Sequence, residues 1–134
     1  MSKFALTLCA AALSLLSATT AHSDDRDVPV KFKPGATSAT FTDQIKGYDV
    51  VNYYIDALAG QIISVQFEKN KNSCYFNVLS VATGKDLAND SAAASPFASK
   101  LVDSGRYRIV VYIMRASARR KASCKFSIIL EVKG

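Results

Sequence analysis

The stretch RYRIVVYIM (106–114), RASARRK (115–121), ASCKFSIILEV (122–132) decides the fold. In its first part Tyr107, Ile109, Val111 and Ile113 share one phase of a two-residue period. In its last part Cys124, Phe126, Ile128, Leu130 and Val132 do the same. A strand turns successive side chains to opposite faces, so each part is a strand with one apolar face. The seven residues between them are small or basic and read as a loop.

Working outward, the same period recurs. Ser104-Gly105 is a turn, and a short strand is expected from Phe97 to Leu101. The segment from Thr83 to Lys100, with Gly84 and Pro96, otherwise reads as a long connection. Cys74, Phe76 and Val78 share a phase, as do Ile63, Val65 and Phe67, with a polar loop from Lys69 to Ser73 between the two runs. Val51, Tyr53, Ile55 and Ala57 form another apolar face, bounded by the Gly47-Tyr48-Asp49 turn and the Ala59-Gly60 connection. Ala39, Phe41 and Ile45, then Val28, Val30 and Phe32, complete the series. No helical period competes after residue 23. Seven or eight closely spaced strands predict an all-β fold, an antiparallel β-sandwich that is jelly-roll-like, with a small closed barrel as the alternative.

The N-terminus reads differently. Lys3 precedes an apolar run from Phe4 to Leu16, and small residues follow from Ser17 to Ser23. The run is too short for a spanning helix, which needs about 20 residues. It reads as a secretory signal peptide, cleaved after Ala21 or Ser23. Leu8 stands where a lipoprotein signal wants a small residue, so Cys9 is not read as a lipidation site. One domain is left, residues 24–134, exported and with no membrane attachment. Export puts Cys74 and Cys124 in an oxidising compartment, where a disulfide is the default and two buried thiols the alternative. Both lie in the apolar phase of their strands. The bridge would close a loop of about 50 residues, worth about 4 kcal/mol on the chain-entropy model.

Charge and histidine content narrow the function. The chain has 134 residues, a formal net charge of +6 and one histidine, His22, which cleavage removes or leaves at the new terminus. Ser-His and Cys-His nucleophile systems and most catalytic zinc sites are therefore excluded, and neither enzymatic activity nor a cofactor or metal is expected. Asp49 and Asp56 are carboxylates that nothing in the sequence places together. Losing Lys3 leaves +5, unevenly spread. Residues 24–99 carry 7 basic and 9 acidic side chains, and residues 100–134 carry 9 basic and 2 acidic. Arg106 and Arg108 fall on the strand face opposite Tyr107 and Ile109 and are expected in solvent. Arg115, Arg119, Arg120 and Lys121 stand on the loop, whose small residues let them project. Guanidinium groups suit carboxylate or phosphate through forked hydrogen bonds. Export argues against nucleic acid, and no aromatic stacking row interleaves the basic residues.

Four motifs occur in order: Ile45-Lys46-Gly47-Tyr48-Asp49, Ala57-Leu58-Ala59-Gly60-Gln61, Ser104-Gly105-Arg106-Tyr107, and Arg115 followed by Ala118-Arg119. Together they resemble the periplasmic inhibitors of goose-type (g-type) lysozyme of Gram-negative bacteria, over about Val28 to Val132. The turn and the arginine loop are the more specific pair. The resemblance implies a β-sandwich that plugs a lysozyme cleft with loops, protects peptidoglycan and counters host defence. It implies lysozyme-binding roles for Tyr48, Arg115 and Arg119. Asp49, Ser104, Gly105, Tyr107 and Arg120 are candidates for binding or loop support. Cys74 and Cys124 are not part of the family pattern. The alternative is an exported carbohydrate-binding or adhesive β-sandwich module, like pre-peptidase C-terminal domains. That reading needs an exposed aromatic platform, for which Tyr54, Tyr75 and Tyr112 are available and Tyr53 reads as core.

Overall fold

The computed structural model describes residues 23–88 and 94–134. The expected signal peptide and His22 lie outside the described residues. Among these described residues nine strands and one short helix follow in order: β1 (Asp25–Pro29), β2 (Ser38–Lys46), β3 (Val50–Ala57), β4 (Ile62–Lys69), β5 (Cys74–Ser80), β6 (Asp86–Ala88), β7 (Phe97–Lys100), β8 (Gly105–Ile113), α1 (Arg115–Arg119) and β9 (Ser123–Lys133). They form a five-stranded sheet, β1-β3-β8-β5-β6, and a four-stranded sheet, β2-β9-β4-β7. Strands β2 to β9 are distributed in the jelly-roll manner, and β1 is an added edge strand.

The alternation read from the sequence sets the register. Across β3, β8 and β5 the inward residues align in rows, Val51 with Val111 and Phe76, then Tyr53 with Ile109 and Val78. In the second sheet Phe41, Ile128 and Phe67 form one such row. The two inner faces bury these side chains against each other, and Tyr53, Val65, Ile109, Ile128 and Leu130 are at most 1% exposed. Burial pushes the Tyr53 phenol up to about 12. Cys74 of β5 and Cys124 of β9 are disulfide-bonded, with Cα atoms 6.2 Å apart, so the bridge ties one sheet to the other.

Three features differ from the sequence reading. Strand β6 is three residues long, too short to show a period, and it lies inside the expected connection. Strand β1 pairs with β3 in parallel, because the chain crosses to the other sheet as β2 before returning. Arg106 is exposed as expected and pairs with Asp56 at 3.0 Å, but Arg108 is only partly exposed, and its Nε is buried without a hydrogen-bond partner.

An inward-phase acid on β2 is also accounted for. Asp43 lies between Phe41 and Ile45 in the apolar phase, and Arg26 of β1 reaches it at 2.7 Å and 2.9 Å while donating to the Gln44 carbonyl at 3.0 Å. This pair joins the edges of the two sheets. A charge directed inward at an edge strand also discourages pairing with another chain.

Candidate functional site

The basic segment after β8 is not a loop. Residues Arg115–Arg119 make a helical turn, with the Ala118 N–H donating to the Met114 carbonyl at 2.8 Å. Alanine and arginine favour helix, and Ala118 is 1% exposed, so the segment folds around a buried methyl group. Its C-terminus closes in a Schellman pattern. The Lys121 N–H donates to the Ala118 carbonyl at 3.0 Å, and the Ala122 N–H to the Ser117 carbonyl at 3.1 Å. Lys121 takes the left-handed position that glycine usually fills, at φ 57°. The helical turn sets Arg115 and Arg119 at i and i+4, on one face.

The β2–β3 turn packs against this helix. The Gly47 N–H donates to the Ala122 carbonyl at 2.8 Å, and a Cβ on Gly47 would stand 3.6 Å from the Ala118 carbonyl oxygen. That is an ordinary contact, so it is the φ of 61° that makes the turn favour glycine. Asp49 closes the turn from the other side. Its carboxylate accepts the Lys46 N–H at 3.0 Å and the Asp24 N–H at 2.9 Å. Both sides of the turn are thereby held, and Tyr48 at its apex is 52% exposed.

Tyr48 stands between two depressions of about 510 and 520 Å³. The first runs onto the outer face of the five-stranded sheet and is lined by Tyr48, Tyr75, Asn77, Tyr112, Met114 and Arg115. The second is basic and lined by Tyr48, Lys46, Gly47, Ala118, Arg119 and Lys121. Arg115 and Arg119 make no hydrogen bond or ion pair with other described residues. Two like charges at i and i+4 repel, which costs a short helix a few tenths of a kcal/mol. Arg120 bends back, with Nη2 3.5 Å from the Ser117 hydroxyl.

Tyr48, Asp49, Arg115, Arg119 and Arg120 thus come together at one end of the sandwich. Ser104, Gly105 and Tyr107 do not. Gly105 pairs with Ala57 at the far end of β3 and begins the nine-residue strand β8, which runs from there to the Arg115 end. That length is roughly 25–30 Å. There the Ser104 hydroxyl accepts the Ala59 N–H at 2.7 Å, and the Tyr107 hydroxyl donates to the Asp103 carbonyl. These residues brace the far turns. The sequence reading missed the Tyr75–Tyr112 pair as a neighbour of the site. Their opposite placement on β5 and β8 is a matter of register between strands that are not consecutive in the chain, which the sequence does not print.

No family model matches the chain. A curated relative, the inhibitor of g-type lysozyme of Escherichia coli strain K12, is 28% identical over 122 residues, 90% of this chain and 91% of its own. The crystal structure of the Aeromonas hydrophila periplasmic lysozyme inhibitor of g-type lysozyme is 32% identical, with a TM-score of 0.73. The match covers 84% of this chain and all of that one. The Salmonella Typhimurium counterpart is 25% identical, with a TM-score of 0.64, over 81% of this chain and 98% of its own. With 32% identity and the same sandwich over the whole of the Aeromonas hydrophila protein, the chain belongs to the family of periplasmic inhibitors of g-type lysozyme.

Proposed function

We propose that the protein is exported, loses residues 1–21 or 1–23, folds as a single domain over 24–134 and inhibits g-type lysozyme in the periplasm. Tyr48, Arg115 and Arg119 enter the lysozyme cleft. The observation that carries this reading is the braced end of the sandwich, where an exposed tyrosine stands beside two arginines whose side chains have no partners among the described residues.

The chemistry of the target suits those groups. Glycoside hydrolysis requires a carboxylic acid that protonates the leaving-group oxygen, so its cleft is acidic. An arginine seated there pairs with carboxylate away from bulk water. Removing one partner of such a pair typically costs about 2–5 kcal/mol, against at most about 1 kcal/mol for an exposed pair. Tyr48 adds rigid apolar area at small entropic cost. Occlusion and charge pairing suffice, with no catalysis by the inhibitor.

The test is a turbidity assay of peptidoglycan lysis by goose-, chicken- and invertebrate-type lysozymes with the purified protein. Inhibition of the goose-type enzyme is expected. Lysis of all three at the uninhibited rate would refute the proposal.

A further inference from the structure

The three residues of the proposed contact are too few for a stable complex. A specific interface buries about 800 Å² on each partner, from about 20–30 residues. Whatever seats Tyr48 must also cover surface continuous with it. The basic depression supplies charge. The other depression supplies something different, and Tyr48 and Arg115 belong to its wall.

Its floor is a pair of tyrosines. Tyr75 and Tyr112 stand opposite each other on β5 and β8, with ring centroids 6.2 Å apart and planes at 33°. The Tyr112 hydroxyl is 3.4 Å from the Asn77 amide oxygen, and Lys69 Nζ lies 4.6 Å from the Tyr75 ring centroid. The rings are therefore already held, and binding orders little more. Met114 at the rim is 45% exposed. Tyrosine and methionine are enriched where interfaces are most buried, and acidic residues are depleted there. The acid in this wall, Asp49, is occupied by two backbone N–H groups.

We infer that the Tyr75–Tyr112 depression is a second contact for the same lysozyme, covering an apolar lip of the acidic cleft and setting the lifetime of the complex. The inference rests on the proposed inhibitory function. A second copy of this chain is a poor occupant, because it would bring Arg115 and Arg119 against their own likenesses. Uncharged aromatic contacts act mainly on dissociation, whereas rim charges act on association. Arg115 and Arg119, seated in the cleft, also slow dissociation, so the tyrosine depression adds to the lifetime of the complex while the rim charges of the basic depression add to its association.

The test measures association and dissociation rates with goose lysozyme for the wild-type protein and for Tyr75→Ser, Tyr112→Thr and Asn77→Arg. Asn77→Arg fills the depression and keeps both rings, so it serves even if a truncated variant fails to fold. Dissociation should quicken roughly tenfold or more for each. For the two tyrosine variants the association rate and its salt dependence should stay unchanged. Unchanged dissociation in all folded variants, with the wild type still inhibiting, would overturn the inference. Loss of N-acetylglucosamine oligomer binding in the tyrosine variants without faster lysozyme release would overturn it in favour of a sugar site. A wild-type protein that inhibits no g-type lysozyme would overturn the inhibitory reading first.

Discussion

The two ends of the sandwich are made of the same material, turns between strands, and they use it in opposite ways. At the end with Leu58 and Ser104, polar groups are consumed internally. The Gln61 side chain accepts the Leu58 N–H at 2.7 Å, Ser104 accepts the Ala59 N–H, and Tyr107 bonds to Asp103. What faces solvent there is either apolar, as Leu58 at 64% and Val102 at 83% exposed, or paired, as Arg106 with Asp56 at 3.0 Å. At the other end the backbone is closed just as well, by Asp49, Gly47 and the turn at Lys121. Yet a tyrosine and two arginines are left over. Hydrogen bonds alone do not separate a site from a support. Side chains that the fold orders and then leaves without partners do.

The largest effect that would break this contrast is at the far end. Tyr107 is 3% exposed, and Tyr107→Ala should cost about 3–5 kcal/mol of stability. Tyr107→Phe, which keeps the ring, should cost only about 1 kcal/mol. Thermal denaturation measures both, and the inhibition constant measured well below the melting temperature should be unaltered. A weakened inhibition constant in folded Tyr107→Phe would place the far end in the contact. The reverse pattern is expected of Arg119→Ala, which should lose about 2–5 kcal/mol of inhibition with an unchanged melting temperature. Arg115→Ala and Tyr48→Ala should behave alike, and the three together should lose less than the sum.

How much of this was legible follows the range of each signal. Strand phase is local, and the apolar faces of β3, β8 and β9 and the pointing of both cysteines were read directly from it. Separation of the ends was legible too. Ser104 precedes a nine-residue strand and Arg115 follows it, so they must lie at opposite ends. Ser104 and Tyr107 are candidates for binding or loop support in the sequence, and their contacts in the fold are those of loop support. The helix at Arg115–Arg119 was not legible, because five residues show no period and Lys121 stands where glycine would have marked a helix end. Asp43 in the apolar phase of β2 was passed over in the sequence reading, although a carboxylate there needs a cation. That the cation is Arg26, 17 residues away on the other sheet, is a tertiary fact.

Asp49 is the residue that blurs the two ends, since it belongs to the site by position and to the support by contacts. Asp49→Ala should free the Lys46 and Asp24 N–H groups and cost about 1 kcal/mol of stability. Inhibition should weaken by a few-fold, because Tyr48 would no longer be held on one side. Asp49→Asn, which keeps one acceptor oxygen of the two, should recover no more than about half of both losses. A full loss of inhibition at unchanged stability would instead make Asp49 a direct contact.

The smallest expected effect separates the two uses within a single side chain. Lys121 has φ 57°, where a side chain other than glycine is strained, and it also lines the basic depression. Lys121→Gly should raise stability by about 0.5–1 kcal/mol, read as a higher urea midpoint at unchanged slope. The same change removes a rim charge, so association with lysozyme should slow at low ionic strength. The difference should vanish as salt shortens the Debye length below about 10 Å. Stability and association rate would then move in opposite directions from one substitution. A gain in stability with no change in association at any salt would show that Lys121 only closes the helix, and that the basic depression draws its charge from Lys46 and Arg119.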